Sequence, residues 1–160
     1  MANENMTMSE AGMEALRIRE GAQLRYYNDL SSNCTYGIGT LVHHGFCTPE
    51  EMRSPVTIAQ VNAQLNARVS SSAATVRRHV TAQALTQAQF DSLVSVVYNL
   101  GPTGARAILR AANGGTSAEA VGQLGLHVYI YPRDNQGRRR APVRAQGLVN
   151  RRREEAEPFR

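Results

Sequence analysis

Lysine and tryptophan are absent from this sequence, cysteine occurs twice, and no apolar run approaches the roughly 18 residues of a membrane span. Each shortage removes a class of protein. Without such a run, a helical membrane span is excluded and no stable membrane insertion is expected. Two cysteines, Cys34 and Cys47, are too few for a disulfide framework, and they show no metal-ligand spacing. The histidines His43, His44, His79 and His127 form no HExxH, CxxC or HxE pattern, so neither a metal nor any other cofactor is expected. The adjacent His43 and His44 read as solvated loop residues rather than a ligand pair. The opening MANENMTMSEAG has neither the basic nor the apolar region of a secretory signal. That predicts a chain kept in a cytoplasm until something else lets it out.

What is present describes an ordinary globular chain. Its 160 residues are 42% hydrophobic with a mean hydropathy of −0.38. One domain of this size buries roughly 70% of its unfolded surface. The 18 basic residues, all Arg, stand against 13 acids for a net charge of +5. Residues 133–160 hold nine Arg and four acids, while residues 1–132 hold nine of each, so the whole excess lies in the last 28 residues.

Ser9 predicts the N-cap of a helix over Glu10–Arg19, with Met13 and Leu16 inward and Gly21 as its stop. From Leu24 to Val42, Tyr26-Tyr27, the cluster Ser31-Ser32-Asn33 and the run Thr35–Val42 predict a small antiparallel sheet or hairpin. A breaker-rich loop is expected from His43 to Pro55. Thr57-x-x-Gln60 resembles a capping box. Ile58, Val61, Leu65, Val69, Val76 and Val80 then mark one face of a long helix, weakened in its middle by Ser70-Ser71-Ser72. A second box, Thr86-x-x-Gln89, opens the most hydrophobic helix, bearing Phe90, Leu93, Val94, Val97 and Leu100 and ended by Gly101-Pro102. Helices over 104–112 and 117–124, an extended HVYIY at 127–131, a polar loop PRDNQGRRRAP and a last helix over 144–157 complete the chain. The fold class is α+β, in a single domain over 1–160. A small sheet-containing N-terminal lobe (about 10–56) is joined by a long helix (about 57–80) to a helical C-terminal lobe (about 81–160). Ligands are expected in the cleft between two such lobes.

The chemistry points to Arg19-Glu20-Gly21, Asn28-Asp29 and Cys34-Thr35-Tyr36-Gly37-Ile38-Gly39. Glu20 ends a helix, where the negative carbonyl terminus disfavours a second negative charge, and apolar neighbours would add desolvation. Both effects favour the protonated carboxyl that a general acid needs. Asp29, nine residues on among polar neighbours, is expected to stay ionised, and the Thr35 hydroxyl six residues later can hold a water. One protonated and one ionised carboxyl is the arrangement for glycoside hydrolysis. Spacing alone is equally that of a surface helix end, a turn residue and a strand residue.

The string ALRIREGAQLRYYNDLSSNCTYGIGTL resembles the N-terminal lobe of the T-even type of phage lysozymes, glycoside hydrolase family 24. Their Glu-Gly, an Asp nine residues later, a Thr six further on and a Gly-Ile-Gly-like turn match Glu20, Asp29 and Thr35. LTQAQFDSLVSVVYNLGPTG (85–104) is similar to the family's buried helix and GLVNRRREEAEPF (147–159) to its C-terminal helix, so the resemblance spans about residues 10–160. It implies a lysozyme-like fold and an endolysin, a muramidase that hydrolyses the β-1,4 bond between N-acetylmuramic acid and N-acetylglucosamine in bacterial peptidoglycan. Glu20 would then be the general acid, with Asp29 and Thr35 positioning water for inversion. Carboxyl separations of roughly 6.5–9.5 Å mark inverting enzymes and roughly 5–5.5 Å retaining ones.

By the same resemblance Leu41 and Tyr98 line the sugar cleft, where ordinary core or rim positions are the alternative. Arg144, or else Arg151, reaches the catalytic Glu, and such a pair would lower the acid's pKa against the helix-end effect. Thr40 stands where the family commonly carries His, which puts a local salt bridge in doubt and not the activity. A monomer is implied that waits in the host cytoplasm. A separate holin-type protein must permeabilise the membrane before it reaches the periplasm and wall. A Cys34–Cys47 disulfide would close a loop of about 14 residues for about 3 kcal/mol, but the missing export signal favours two free thiols. No nucleophilic role is expected of Cys34.

A lytic transglycosylase cleaves the same bond without water, and Asp29 with Thr35 argues against it. The basic C-terminus could instead act on membrane, lipopolysaccharide or nucleic acid. No nucleic-acid reader motif is present, and Leu148, Ala156 and Phe159 make only a thin apolar stripe. Arg151–Glu155 and Arg153–Glu157 pairs at i, i+4 would neutralise part of that charge, leaving the excess of Arg133, Arg138, Arg139 and Arg140 over Asp134 to attract an anionic wall.

Overall fold

Helix caps place most elements of the computed structural model, which describes residues 1–160. The Ser9 side chain accepts from the Gly12 N–H at 3.0 Å and opens α1 (Glu10–Arg19). Gly21, at φ 64°, closes it: its N–H donates to the Ile18 carbonyl and that of Ala22 to the Arg17 carbonyl, a Schellman ending. A three-stranded antiparallel sheet follows in the order β1 (Gln23–Asn28), β2 (Cys34–Gly37), β3 (Thr40–His43).

The loop expected from His43 to Pro55 contains a short helix, α2 (Pro49–Arg53). Its start signals are in the sequence: Thr48 accepts from the Glu51 N–H, and Pro49 needs no partner for its nitrogen in the first turn. Helix α3 runs unbroken over Ile58–His79. The Thr57/Gln60 box is formed on both sides, at 2.7 and 3.1 Å. The three serines do not interrupt it: Ser70 and Ser71 are exposed and Ser72 is buried.

Contacts within the chain divide it into two compact units, Ser9–Ser71 and Met1–Met8 with Ser72–Arg160. In the first, Leu16, Val61 and Leu65 are fully buried, with Val56 and Val69 nearly so. In the second, α4 (Gln87–Gly104) is buried at every position from Ser92 to Tyr98 and forms the core with α5 (Arg106–Gly114) and α6 (Ser117–Gly125). The expected stop at Gly101 appears as a break inside α4, at φ 74° and ψ 168°. The HVYIY segment contributes only a two-residue strand, β4 (Tyr129–Ile130), which pairs with β5 (Val143–Arg144) across the Arg-rich turn. Helix α7 (Gln146–Ala156) and a 3₁₀ turn at Glu157–Phe159 end the chain.

Helix α7 buries part of its charge. Glu155 is fully buried and takes Arg151 at 3.0 Å and Arg152 at 2.9 Å, their side chains only 10% and 2% exposed. Ser95 of α4 donates to the same carboxylate at 2.7 Å, the Ser92 hydroxyl donates to the Glu155 carbonyl, and Arg152 reaches Asn99 at 2.6 Å. Of the two i, i+4 pairs expected, Arg151–Glu155 is formed but inside, while Glu157 pairs with Arg160 at 3.5 Å. The N-terminus belongs to this unit too. Buried Asn3 donates to the carbonyls of Val80 (2.7 Å) and Gln83 (2.8 Å) and accepts from the Leu85 N–H (3.0 Å).

Removing the carboxylate takes away the acceptor that Arg151 and Arg152 share. Glu155→Ala is expected to cost about 3–5 kcal/mol, read from urea denaturation, whereas Ser95→Ala should cost about 1–2 kcal/mol. Equal costs would show that the ion pairs contribute little. His127 supplies a pH test. Burial, and then the Arg152 guanidinium, hold its imidazole below the ordinary value of 6.5. The unfolded chain therefore binds the extra proton first, and stability falls as pH drops through that range. Melting curves from about pH 7.5 to about pH 5.5 should show a smaller loss for His127→Gln than for the parent chain.

Candidate active site

Glu20 sits at the C-cap of α1 with helical dihedrals, its N–H donating to the Leu16 carbonyl at 2.9 Å. The Gly21 turn directs the chain into β1 after only two further residues, so the helix end and the sheet edge are covalent neighbours. Asp29 closes the other end of β1. Its Oδ1 accepts from the Ser31 N–H at 2.8 Å and the Asn33 N–H at 2.9 Å, which holds the turn in which Ser32 adopts φ 61°.

Thr35 pairs with Tyr27 across the β1–β2 ladder and is buried. Its hydroxyl donates to the Tyr27 carbonyl at 3.2 Å, so the lone pairs of Oγ1 remain for another donor. Leu41 stands opposite Thr35 on β3, while Arg25 falls where the β1–β2 register shifts and Asp29 follows the last residue of β1. An open groove of about 500 Å³ along β1 is lined by Gln23, Arg25, Tyr27, Asp29, Leu30 and Met52, among others. The Arg25 guanidinium lies over the Tyr27 ring, 5.8 Å from its centroid.

Beyond β3 the loop is fastened to this hairpin. Cys34 and Cys47 are joined by a disulfide, their Cα atoms 4.6 Å apart, which corrects the expectation of two free thiols. Chain geometry decides this: the Cys34 N–H donates to the Gly45 carbonyl at 2.8 Å and the Cys47 N–H to Asn28 Oδ1 at 2.8 Å, so the two residues are brought face to face. His43 is a strand residue and not part of a solvated loop. Its Nε2 lies 2.9 Å from the Glu51 carboxylate and its Nδ1 3.0 Å from the His44 carbonyl. The carbonyl first and then Glu51 raise the His43 pKa, and His43 lowers that of Glu51. On the opposite side, α3 supports the β2–β3 turn. Gln64 donates to the Tyr36 carbonyl and accepts from the Ile38 N–H, both at 3.3 Å. A Cβ at Gly37 (φ 61°) would collide with the Gln64 amide.

The remaining expected residues are placed as follows. Leu41 is 47% exposed. Tyr98 is buried in α4, at 4% exposure, and Arg144 is exposed on β5. Arg151 is held by Glu155 and reaches the Ser95 carbonyl at 3.4 Å. Thr40 is exposed and pairs with Tyr36. Tyr27, Gln64 and the Asn28 clasp were missed by sequence reasoning; only the alternation of β1 could have drawn attention to Tyr27.

Residues 17–155 match the family model described as phage lysozyme. The chain is 31% identical over 156 residues to the endolysin of Bacillus phage PZA, covering 96% of this chain and 55% of that protein. It thus spans about half the length of that curated relative. The endolysin from Escherichia coli O157:H7 phage FAHEc1 superposes with a TM-score of 0.73 at 28% identity, covering 97% of this chain and 94% of that one. The muramidase domain of SpmX from Asticcacaulis excentricus does so with a TM-score of 0.71 at 24% identity, covering 97% and 98%. The mixture of helices with a small three-stranded antiparallel sheet and a two-stranded one is therefore the lysozyme-like fold. With the family model matched across the helix-end carboxyl, the hairpin and the helical unit alike, this chain belongs to the phage lysozyme family.

Proposed function

We propose that this chain is an endolysin that hydrolyses the β-1,4 bond between N-acetylmuramic acid and N-acetylglucosamine in bacterial peptidoglycan. Membership of the phage lysozyme family supports the reading. The observation that carries it concerns Asp29 and Thr35. One oxygen of Asp29 is committed to two backbone N–H groups, and Thr35, the register partner of Tyr27 two residues before Asp29, keeps acceptor capacity on its hydroxyl.

A water donating one hydrogen to Asp29 Oδ2 and the other to Thr35 Oγ1 keeps an oxygen lone pair for the anomeric carbon. As that bond forms, the glycosidic bond breaks, Glu20 gives its proton to the leaving oxygen and Asp29 takes one from the water. The water enters opposite the leaving group, so the configuration inverts. Leu41, exposed across the ladder from Thr35, offers an apolar surface to a sugar ring. No step needs a metal or other cofactor. The turn that carries Arg133, Arg138, Arg139 and Arg140 accounts for the attraction to an anionic wall. Arg138 pairs with Asp134 at 2.9 Å, and Arg139 lies over Tyr131 at 5.3 Å. In the same reading the protein acts as a monomer and waits in the host cytoplasm until a holin-type protein opens the membrane.

Glu20→Gln should fold normally, read by circular dichroism, and lose wall lysis by at least about 100-fold, the usual worth of a general acid. Muropeptides released by the parent chain should carry an ordinary reducing end, initially of inverted configuration by nuclear magnetic resonance. Full activity in the variant would overturn the acid assignment, and an anhydro sugar would point to a transglycosylase. Replacing Arg133, Arg139 and Arg140 together by Gln should slow lysis of whole cells at low salt. The parent's advantage should vanish at about 0.5 M salt, because exposed charges are then screened. Turnover of a soluble glycan fragment should be unchanged.

A further inference from the structure

Three elements of the Ser9–Ser71 unit converge outside the groove. Cys34 on β2 and His43 on β3 are register partners, and Glu51 projects from α2. One ligand atom from each lies within 4.8 Å of the other two, and Glu51 Oε2 stands 2.9 Å from the Cys34 sulfur. Cys47, bonded to Cys34, brings a second sulfur to the same point. Two sulfurs, one imidazole and one carboxylate make four ligand groups, and no linear spacing motif relates residues 34, 43, 47 and 51.

We propose that, once the Cys34–Cys47 bond is reduced, these two cysteines together with His43 and Glu51 bind one Zn²⁺ ion. Two thiolates with one imidazole and one carboxylate are a donor set suited to tetrahedral zinc. The reduction is a two-electron exchange. A dithiol reductant gives up two electrons and two protons and becomes a cyclic disulfide, and Cys34 and Cys47 become thiols. Zinc then displaces the two thiol protons, and His43 gives up the proton it shares with Glu51 if it carries one. Sulfurs of a tetrahedral zinc site stand about 3.8 Å apart, a separation reached by side-chain rotation once the bond is open. The ion would replace one cross-link by another at the same place, and the loop from His44 to Thr48 would stay fastened to the hairpin in either redox state.

The test uses the full chain reduced with a water-soluble phosphine, which does not compete as a thiol. The phosphine becomes its oxide, taking oxygen from a water whose two hydrogens end on the thiols. Anaerobic titration with Co²⁺ should produce a thiolate-to-cobalt charge-transfer band that saturates at one ion per chain and is abolished by Zn²⁺. The oxidised chain should give no such band. His43→Ala and Glu51→Ala should each weaken binding by about tenfold or more. No band in the reduced chain, or affinity unchanged in both variants, would overturn the proposal. The melting temperature of the reduced chain should rise with one equivalent of Zn²⁺. If reduction alone unfolds the chain, the same equivalent should restore its circular dichroism. Failure to raise the one or restore the other counts against the site.

Discussion

The Asp29 carboxylate is the constraint on which the small sheet and the proposed chemistry both depend. Two backbone N–H groups at the tip of the hairpin have no ladder partner, and Asp29 Oδ1 supplies one for each. Without that acceptor the turn would need another way to hold Ser32 at a positive φ, and β2 would lose the point from which its register is counted. The register places Thr35 beside Tyr27 and therefore beside the groove. A residue that must build the turn cannot also move freely, which suits the role proposed for it.

The helical unit solves a different problem. Helix α4 is apolar enough to be buried on all sides, yet Ser92, Ser95 and Asn99 recur at intervals of three and four residues along it. These polar groups require partners, and α7 answers them with a buried carboxylate between two arginines. A fully apolar pair of faces would bury as much area but would not select one rotation of α7 against α4. Ser92 and Ser95 meet Glu155 and Asn99 meets Arg152, so these polar groups are satisfied together at one rotation of α7.

What was legible in the sequence was local. Ser9, Gly21 and the boxes at Thr57/Gln60 and Thr86/Gln89 act within four residues of themselves, and each forms as its pattern requires. The β1–β2 hairpin was legible for a related reason, since its turn residues Ser31, Ser32 and Asn33 follow one another in the chain. The misses are of two kinds. Helix α2 carried its signature, Thr48-Pro49-Glu50-Glu51, but the glycine and proline around it read as loop. Asn3, Glu155 and the grouping of Cys34, Cys47, His43 and Glu51 left no local trace. Their partners lie in other elements, and nothing in a charged residue's neighbours distinguishes a solvated face from a buried one.

Asn3 also bears on how the chain acquires its structure during synthesis. The Ser9–Ser71 unit has all its residues once position 71 has been made, and it interrupts the other unit, whose first eight residues emerge before it and whose remainder emerges after. The amide of Asn3 must therefore wait for Val80, Gln83 and Leu85, across a separation of 77 to 82 residues. Contacts at such separation close late. The order of translation thus favours the unit bearing Glu20, Asp29 and Thr35 as the first to fold, while the N-terminal segment stays exposed on the ribosome until the helical unit arrives to claim it.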